Sequence, residues 1–304
     1  MKQQVIAVHY TANYILNPQH PITINLVGCG GTGSQVLTGL ARLNAALKAL
    51  EHPGIHVTAW DPDIVTEANI GRQAFAPADL HANKAATLIT RVNRFYGFDW
   101  KARSEFYAPV NMGKSLLDDG CNILITCVDS AAARVAISKG KFGTLKGQRP
   151  YTRHHYWMDF GNTRTTGQVV LGTFDHVEQN GAAGEVTCAK LQTVTEMFPD
   201  IEKHDTTAEQ GPSCSFAEAI QRQDLYINST LTQLGMTLLW KLFREGKISY
   251  QGAWLNLDLL MSNPMPIFVT RIIRTPAQHS RTVKNKKHDR KKTTRRVPRR
   301  HSRS

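Results

Sequence analysis

Val27-Gly28-Cys29-Gly30-Gly31-Thr32-Gly33 is the stretch on which the fold turns. It follows the apolar, β-branched run Ile22 to Val27. It opens a stretch, Thr32 to Leu50, in which Val36, Leu37, Leu40, Leu43 and Leu47 recur at helical spacing. The glycines thus occupy a strand-to-helix turn, where Gly28, Gly30 and Gly33 permit a tight bend, a close backbone approach and tight helix packing. Free N–H groups at the start of that helix would face an anion. Taken alone the glycines also fit a purely structural turn, and their place between strand and helix favours a nucleotide.

A second strand, Ile55 to Trp60, ends in Asp61, which stands 28 residues beyond Gly33. An acid there can accept hydrogen bonds from ribose hydroxyls of either NAD or ATP, so it does not choose between them. Arg72 and Lys84 separate the two better. Hydride transfer has no growing phosphate charge to neutralise, whereas adenylation must stabilise a crowded α-phosphate and a leaving pyrophosphate. Planar arginine suits phosphate oxygens, and lysine supplies a compact point charge. A third apolar run, Ile123 to Val128, ends in Asp129. Strand carboxyl ends line the ligand crevice of an open α/β sheet, so Asp61 and Asp129 should face one site. Asp129 could hold Mg²⁺ together with phosphate oxygens or cap the helix Ala131 to Ile137, and spacing leaves both readings open.

Gly-x-Gly-Gly-x-Gly, Asp61-Pro62-Asp63, Asn69-Ile70-Gly71-Arg72-Gln73, Lys84, and Val128-Asp129 followed by Arg134 form a series. The series is similar to the ThiF, MoeB and ubiquitin-activating superfamily. Gly167-Gln168-Val169-Val170, after a strand His155 to Phe160, resembles that superfamily's Gly-Gln-Val segment. The likeness spans roughly residues 22 to 260 and is greatest to the ThiF-type family of the plasmid-associated PRTRC cassette. It implies an α/β, Rossmann-like, mostly parallel sheet with helices on both faces. It also implies ATP at Gly28, Gly30, Gly31 and Gly33, ribose at Asp61, phosphates at Asn69, Arg72, Gln73 and Lys84, and Mg²⁺ at Asp129. Relatives adenylate the C-terminal glycine carboxylate of a small ubiquitin-like β-grasp protein. Two departures stand out: residues 1 to 41 lack the arginine that relatives commonly lend a partner subunit, and Ala68 replaces a common serine.

The five cysteines form no Cys-x-x-Cys pair, so the structural zinc clamp of many relatives is not encoded, and sparse usage fits a reducing cytoplasm. Cys29, Cys121 and Cys127 read as small core or loop residues. Cys214, in Gly211-Pro212-Ser213-Cys214-Ser215, precedes a helical pattern from about Phe216 to Arg244 and resembles the Pro-x-Cys-Thr segment around a thioester cysteine. A thiol near a helix start would have a lowered pKa; an inert cap residue is the competing reading, and Cys188 is the second-choice nucleophile.

With 304 residues and 41% hydrophobic content the chain can bury one α/β core, expected over residues 1–270. A crossover segment is expected over 173–213, and Trp254 to Leu260 as a strand closing the sheet or forming a homodimer surface. No apolar run reaches the ~18 residues of a membrane span, and the start lacks a signal-peptide core, so a soluble cytoplasmic protein is expected. Residues 281 to 304 hold 12 Lys or Arg and one acid; the tail's +11 leaves only +2 for the rest of the chain. From 271 onward a solvated, disordered tail is expected, and it could hold nucleic acid nonspecifically by counterion release. Two other functions share these features: a NAD-dependent oxidoreductase, and a nonenzymatic adaptor that uses its tail on DNA.

Overall fold

The structure, a computed structural model, describes residues 2–107, 120–140, 142, 152–204 and 222–272. In chain order the strands are β1 (Lys2–Ile6), β2 (His9–Tyr10), β3 (Ile22–Val27), β4 (Ile55–Trp60), β5 (Lys101–Arg103), β6 (Ile123–Thr126), β7 (Tyr156–Asn162), β8 (Thr166–Thr173), β9 (Lys247–Ile248), β10 (Tyr250–Asn256), β11 (Met261–Pro266) and β12 (Phe268–Ile272). The helices are α1 (Asn13–Leu16), α2 (Gly31–Ala49), α3 (Lys84–Tyr96), α4 (Ala131–Ser138), α5 (Val194–Met197) and α6 (Ile227–Arg244).

Eight strands form one sheet in the order β11-β10-β8-β7-β6-β3-β4-β5. The five from β7 to β5 are parallel, and β8, β10 and β11 continue the sheet antiparallel. This is the α/β, Rossmann-like sheet expected. Alternation along the strands builds a core on each side. Ile123 and Ile125, with Tyr156, Met158 and Phe160, pack among α2, α3 and α6. Leu124, Trp157 and Val170 face the other way, against Ile137 of α4 and Val194 of α5. Each fully buried aliphatic side chain contributes roughly 1.5–3 kcal/mol, so this double layer is what fixes the sheet. The chain leaves β3 toward β4 on one side and returns to β6 on the other, and a crevice opens at that reversal. No helix among the described residues is long and apolar enough to cross a membrane.

Two expected elements are differently bounded. The strand expected over Trp254 to Leu260 is the hairpin β10–β11, because Asn256 Oδ1 accepts the Leu259 N–H and Leu260 turns with φ +48°. The helical pattern ending at Arg244 is interrupted at Gln223–Tyr226, where Asp224 Oδ1 accepts the Tyr226 N–H and makes a turn before α6.

Candidate functional site

The glycine turn is shaped by close contacts on both sides. Gly28 has φ +89°, and a Cβ there would lie 2.7 Å from the Cys127 carbonyl oxygen. A Cβ on Gly33 would come within 1.8 Å of Gly28 O, so a side chain at either position would push loop and helix apart. Gly30 is the N-cap of α2 and no side chain caps it, so the N–H groups of the first turn are left for an incoming acceptor. Asp61 closes the turn from behind. Its Oδ2 accepts the Cys29 N–H at 2.6 Å and its Oδ1 the Asp63 N–H at 2.8 Å. Burial raises the Asp61 pKa, and those two N–H groups act against the rise.

On the β4 side Asn83, a residue the motif reading passes over, caps α3 by accepting the Ala86 N–H at 2.9 Å. The same side chain donates to Asp61 O and Asp63 O at 2.8 and 3.0 Å. Cap and clamp together set Lys84, the first residue of α3, against Asp63, with Nζ 2.8 Å from Oδ2. Asn69 anchors the preceding turn, its Oδ1 accepting the Thr66 N–H at 2.9 Å and its carbonyl the Gln73 N–H at 2.9 Å. Arg72 follows with no carboxylate partner among the described residues. Its Nη1 donates to Gln223 Oε1, and its buried Nε has no partner. Burial lowers the Arg72 pKa, the sign of a cation held away from water without a counter-charge. Gln73 Oε1 is likewise buried and unpartnered.

On the β6 side the capping role considered for Asp129 falls to its neighbour. Ser130, not Asp129, caps α4, its side chain accepting the Ala133 N–H. Asp129 is exposed and makes no hydrogen bond or ion pair among the described residues. The turn carrying it is held by Arg134. Its Nε bonds Asp159 Oδ2 at 2.9 Å, and its Nη2 donates to Val128 O and Phe160 O, each at 2.8 Å. Thr126 Oγ1 donates to Asp159 Oδ1 at 2.5 Å and accepts from Trp157 Nε1 at 2.8 Å, so the acid is fully engaged. Asp159 lies inside the apolar run Tyr156-Trp157-Met158-Asp159-Phe160. A buried acid demands a partner, and that is the signal by which it could be found.

Asn69, Arg72, Gln73, Lys84 and Asp129, with Asp63, line one cavity of about 390 Å³. Asp61 stands behind the glycine turn rather than among those lining residues. A second hollow of about 270 Å³ runs along Gln168, Trp254, Asn256 and Asn263. Gln168 lies close to the guanidinium that holds the Asp129 turn, since a Cβ on Gly161 would touch both Gln168 Nε2 (2.5 Å) and Arg134 Nη2 (3.2 Å).

The cysteines divide differently. Cys214 lies outside the described residues, as does the tail from residue 273. Cys188 donates its Sγ–H to Lys190 O at 3.1 Å, and burial pushes its thiol up. Its backbone N–H bonds Val8 O, beside β2, and β2 pairs with β9 after the C-terminal end of α6. The cavity lies toward the other end of that 18-residue helix, whose length is about 27 Å at 1.5 Å per residue. Burial also raises the Cys29 and Cys127 thiols. Among the described residues no three His, Cys, Asp or Glu side chains cluster as a metal site.

A model of the ThiF family matches residues 20–270. The chain belongs to the ThiF family. Among solved structures it is similar to PaaA, at 15% identity over 82% of this chain and 64% of that one, with TM-score 0.48. It is also similar to E. coli MccB, at 13% identity over 83% and 63%, TM-score 0.48. A third likeness is to E. coli tRNA N6-threonylcarbamoyladenosine dehydratase, TcdA, in complex with ATP, at 24% identity over 41% and 48%, TM-score 0.33. The chain thus spans less than two thirds of the length of each. No curated protein matches it. The match takes in all eight strands of the central sheet of this ThiF chain.

Proposed function

We propose that this ThiF chain uses ATP to adenylate the C-terminal carboxylate of a small ubiquitin-like β-grasp protein, of the kind that accompanies it in a PRTRC cassette. The observation carrying the reading is the convergence of Asn69, Arg72, Gln73, Lys84 and Asp129 on one cavity beside an uncapped helix start. Arg72 Nε is a buried donor without an acceptor among the described residues, and the helix start at Gly30 has no side-chain cap for its N–H groups. Both features fit a triphosphate.

The chemistry is an in-line exchange at phosphorus. A carboxylate oxygen of the partner bonds to the α-phosphorus, the bond to the bridging β-oxygen breaks, and pyrophosphate departs with that electron pair, leaving an acyl-adenylate. The protein's part is position and charge. Backbone N–H groups of Gly31 and Thr32 hold phosphate oxygens, while Arg72 and Lys84 meet the charge that grows on the leaving group. Asp61 and the turn it closes receive the ribose. Asp129, exposed and without a partner among the described residues, would supply a carboxylate for Mg²⁺, an ion commonly held by one or two protein carboxylates beside phosphates and water. The hollow along Gln168 and Trp254 receives the partner's extended tail. Transfer to Cys214, a homodimer, a cytoplasmic setting and retention on nucleic acid by the basic tail belong to the same reading.

ATP–pyrophosphate exchange tests it. Exchange should require a β-grasp partner ending in glycine and should fall at least about 100-fold in Asp129→Ala. Full-rate exchange in Arg72→Ala, Lys84→Ala and Asp129→Ala alike would show that the site lies elsewhere. Cys214→Ala should spare exchange and remove any thiol-sensitive conjugate.

A further inference from the structure

Arg72 faces the cavity with its charge uncancelled by any described residue, and the side chain that holds it there is neutral. Gln223 Oε1 accepts from Arg72 Nη1 and, at 3.1 Å, from Asn228 Nδ2. Asn228 is buried at the start of α6, and its Oδ1 accepts from Thr32 Oγ1 at 2.8 Å and from Asn162 Nδ2 at 3.4 Å. The two donors on Oδ1 orient the amide, so Nδ2 must face Gln223. A Cβ on Gly31 would come within 2.5 Å of that same Nδ2. The second glycine of the pair thereby gains a reason of its own: it leaves room for the Asn228 amide.

We propose that Gln223 and Asn228 are positioning residues that key the Arg72 guanidinium to the phosphate-binding turn. The chain of contacts runs Thr32, Asn228, Gln223, Arg72, and so ties a cation from the β4 side to the first turn of α2 through two amides from beyond residue 220. A carboxylate in place of Gln223 would hold the guanidinium equally well and cancel its charge. An amide holds it and leaves the charge for phosphate. Fixing a long side chain before the ligand arrives removes an ordering cost from binding. The proposal rests on Arg72 being a phosphate ligand, and it does not require that the acceptor be a β-grasp carboxylate.

The test is a double-mutant cycle on ATP affinity, read by calorimetry with the full-length chain. Gln223→Ala should weaken ATP about five- to tenfold in the native background and have no effect in Arg72→Ala, with the melting temperature nearly unchanged because Gln223 is only half-buried. Gln223→Glu, which keeps the acceptor oxygen and cancels the charge, should weaken ATP at least as much; a merely structural Gln223 would tolerate it. Multiplicative effects of Gln223→Ala and Arg72→Ala, or native affinity in Gln223→Glu, would overturn the proposal. Because the cycle reads binding, it can hold even if pyrophosphate exchange fails with every β-grasp partner, and that second result would count against the adenylation reading alone.

Discussion

Two ion pairs flank the crevice, one on each side of β3, and they are built for different purposes. On the β6–β7 side Arg134 and Asp159 are sealed, their side chains 6% and 1% exposed. On the β4–α3 side Lys84 is 10% exposed but its partner Asp63 is 63% exposed. In the sealed pair both carboxylate oxygens of Asp159 and all three guanidinium nitrogens of Arg134 have partners within the protein. The open pair has one partner in water and can be rearranged by an incoming anion. One side of the site is therefore scaffold, which fixes where Asp129 stands, and the other is adjustable charge. The same substitution, Asp to Asn, should separate them. Asp159→Asn leaves a buried guanidinium uncompensated at a cost of about 3–5 kcal/mol. In a domain of this size that is a fall of roughly ten degrees in melting temperature, measurable by calorimetry. A stable Asp159→Asn protein would erase the contrast.

The next largest effect sharpens the comparison within the adjustable side. Lys84 carries its counter-ion with it, whereas among the described residues Arg72 has the neutral amide of Gln223 and no carboxylate. Removing the uncancelled charge should matter more. Arg72→Ala is expected to lower exchange by about 10³ and Lys84→Ala by about 10², the range found when a single charge-stabilising donor is removed from a reaction site. Initial-rate exchange assays at saturating ATP order the two, and the reverse order would mean that Asp63 leaves Lys84 when nucleotide binds.

What is legible in the sequence follows the same division. The glycine turn, Asp61, Asn69, Arg72, Gln73 and Lys84 lie within one strand–helix–strand unit and its sequel, so their order along the chain is nearly their order in space. Strands β3, β4 and β6 and helices α2, α3 and α4 are likewise readable from apolar spacing alone. The scaffold is not readable in this way. Asp159 comes from a strand whose apolar neighbours hide it, and Gln223 and Asn228 reach the site only because α6 packs against α2. Gln223 and Asn228 act on partners 151 and 196 positions away, Arg72 and Thr32, and no local pattern announces such a pairing. The β11 strand, Met261-Ser262-Asn263-Pro264-Met265-Pro266, is hidden by its two prolines. Proline is tolerated only at an edge, and the edge is where β11 lies. Asp129 shows a subtler limit: its sequence allows a cap or a ligand, and the structure removes the first reading, because Ser130 takes the cap.

The smallest effect is the most pointed. Asp63→Asn removes the counter-charge of Lys84 but leaves the Asp63 carbonyl, which accepts the Lys84 N–H and the Asn83 side chain, in place. The carboxylate is mostly in water, so its loss should change stability by less than about 1 kcal/mol, within a few degrees of the native melting temperature. The freed ammonium stays where α3 puts it, now uncancelled like Arg72. Anion binding should then become more sensitive to salt, because one more unpaired cation faces the cavity. Calorimetric titration with pyrophosphate at low and moderate ionic strength reads this directly. If Asp63→Asn destabilised the fold as much as Asp159→Asn, the two pairs would be alike, and the division into scaffold and adjustable charge would have no basis.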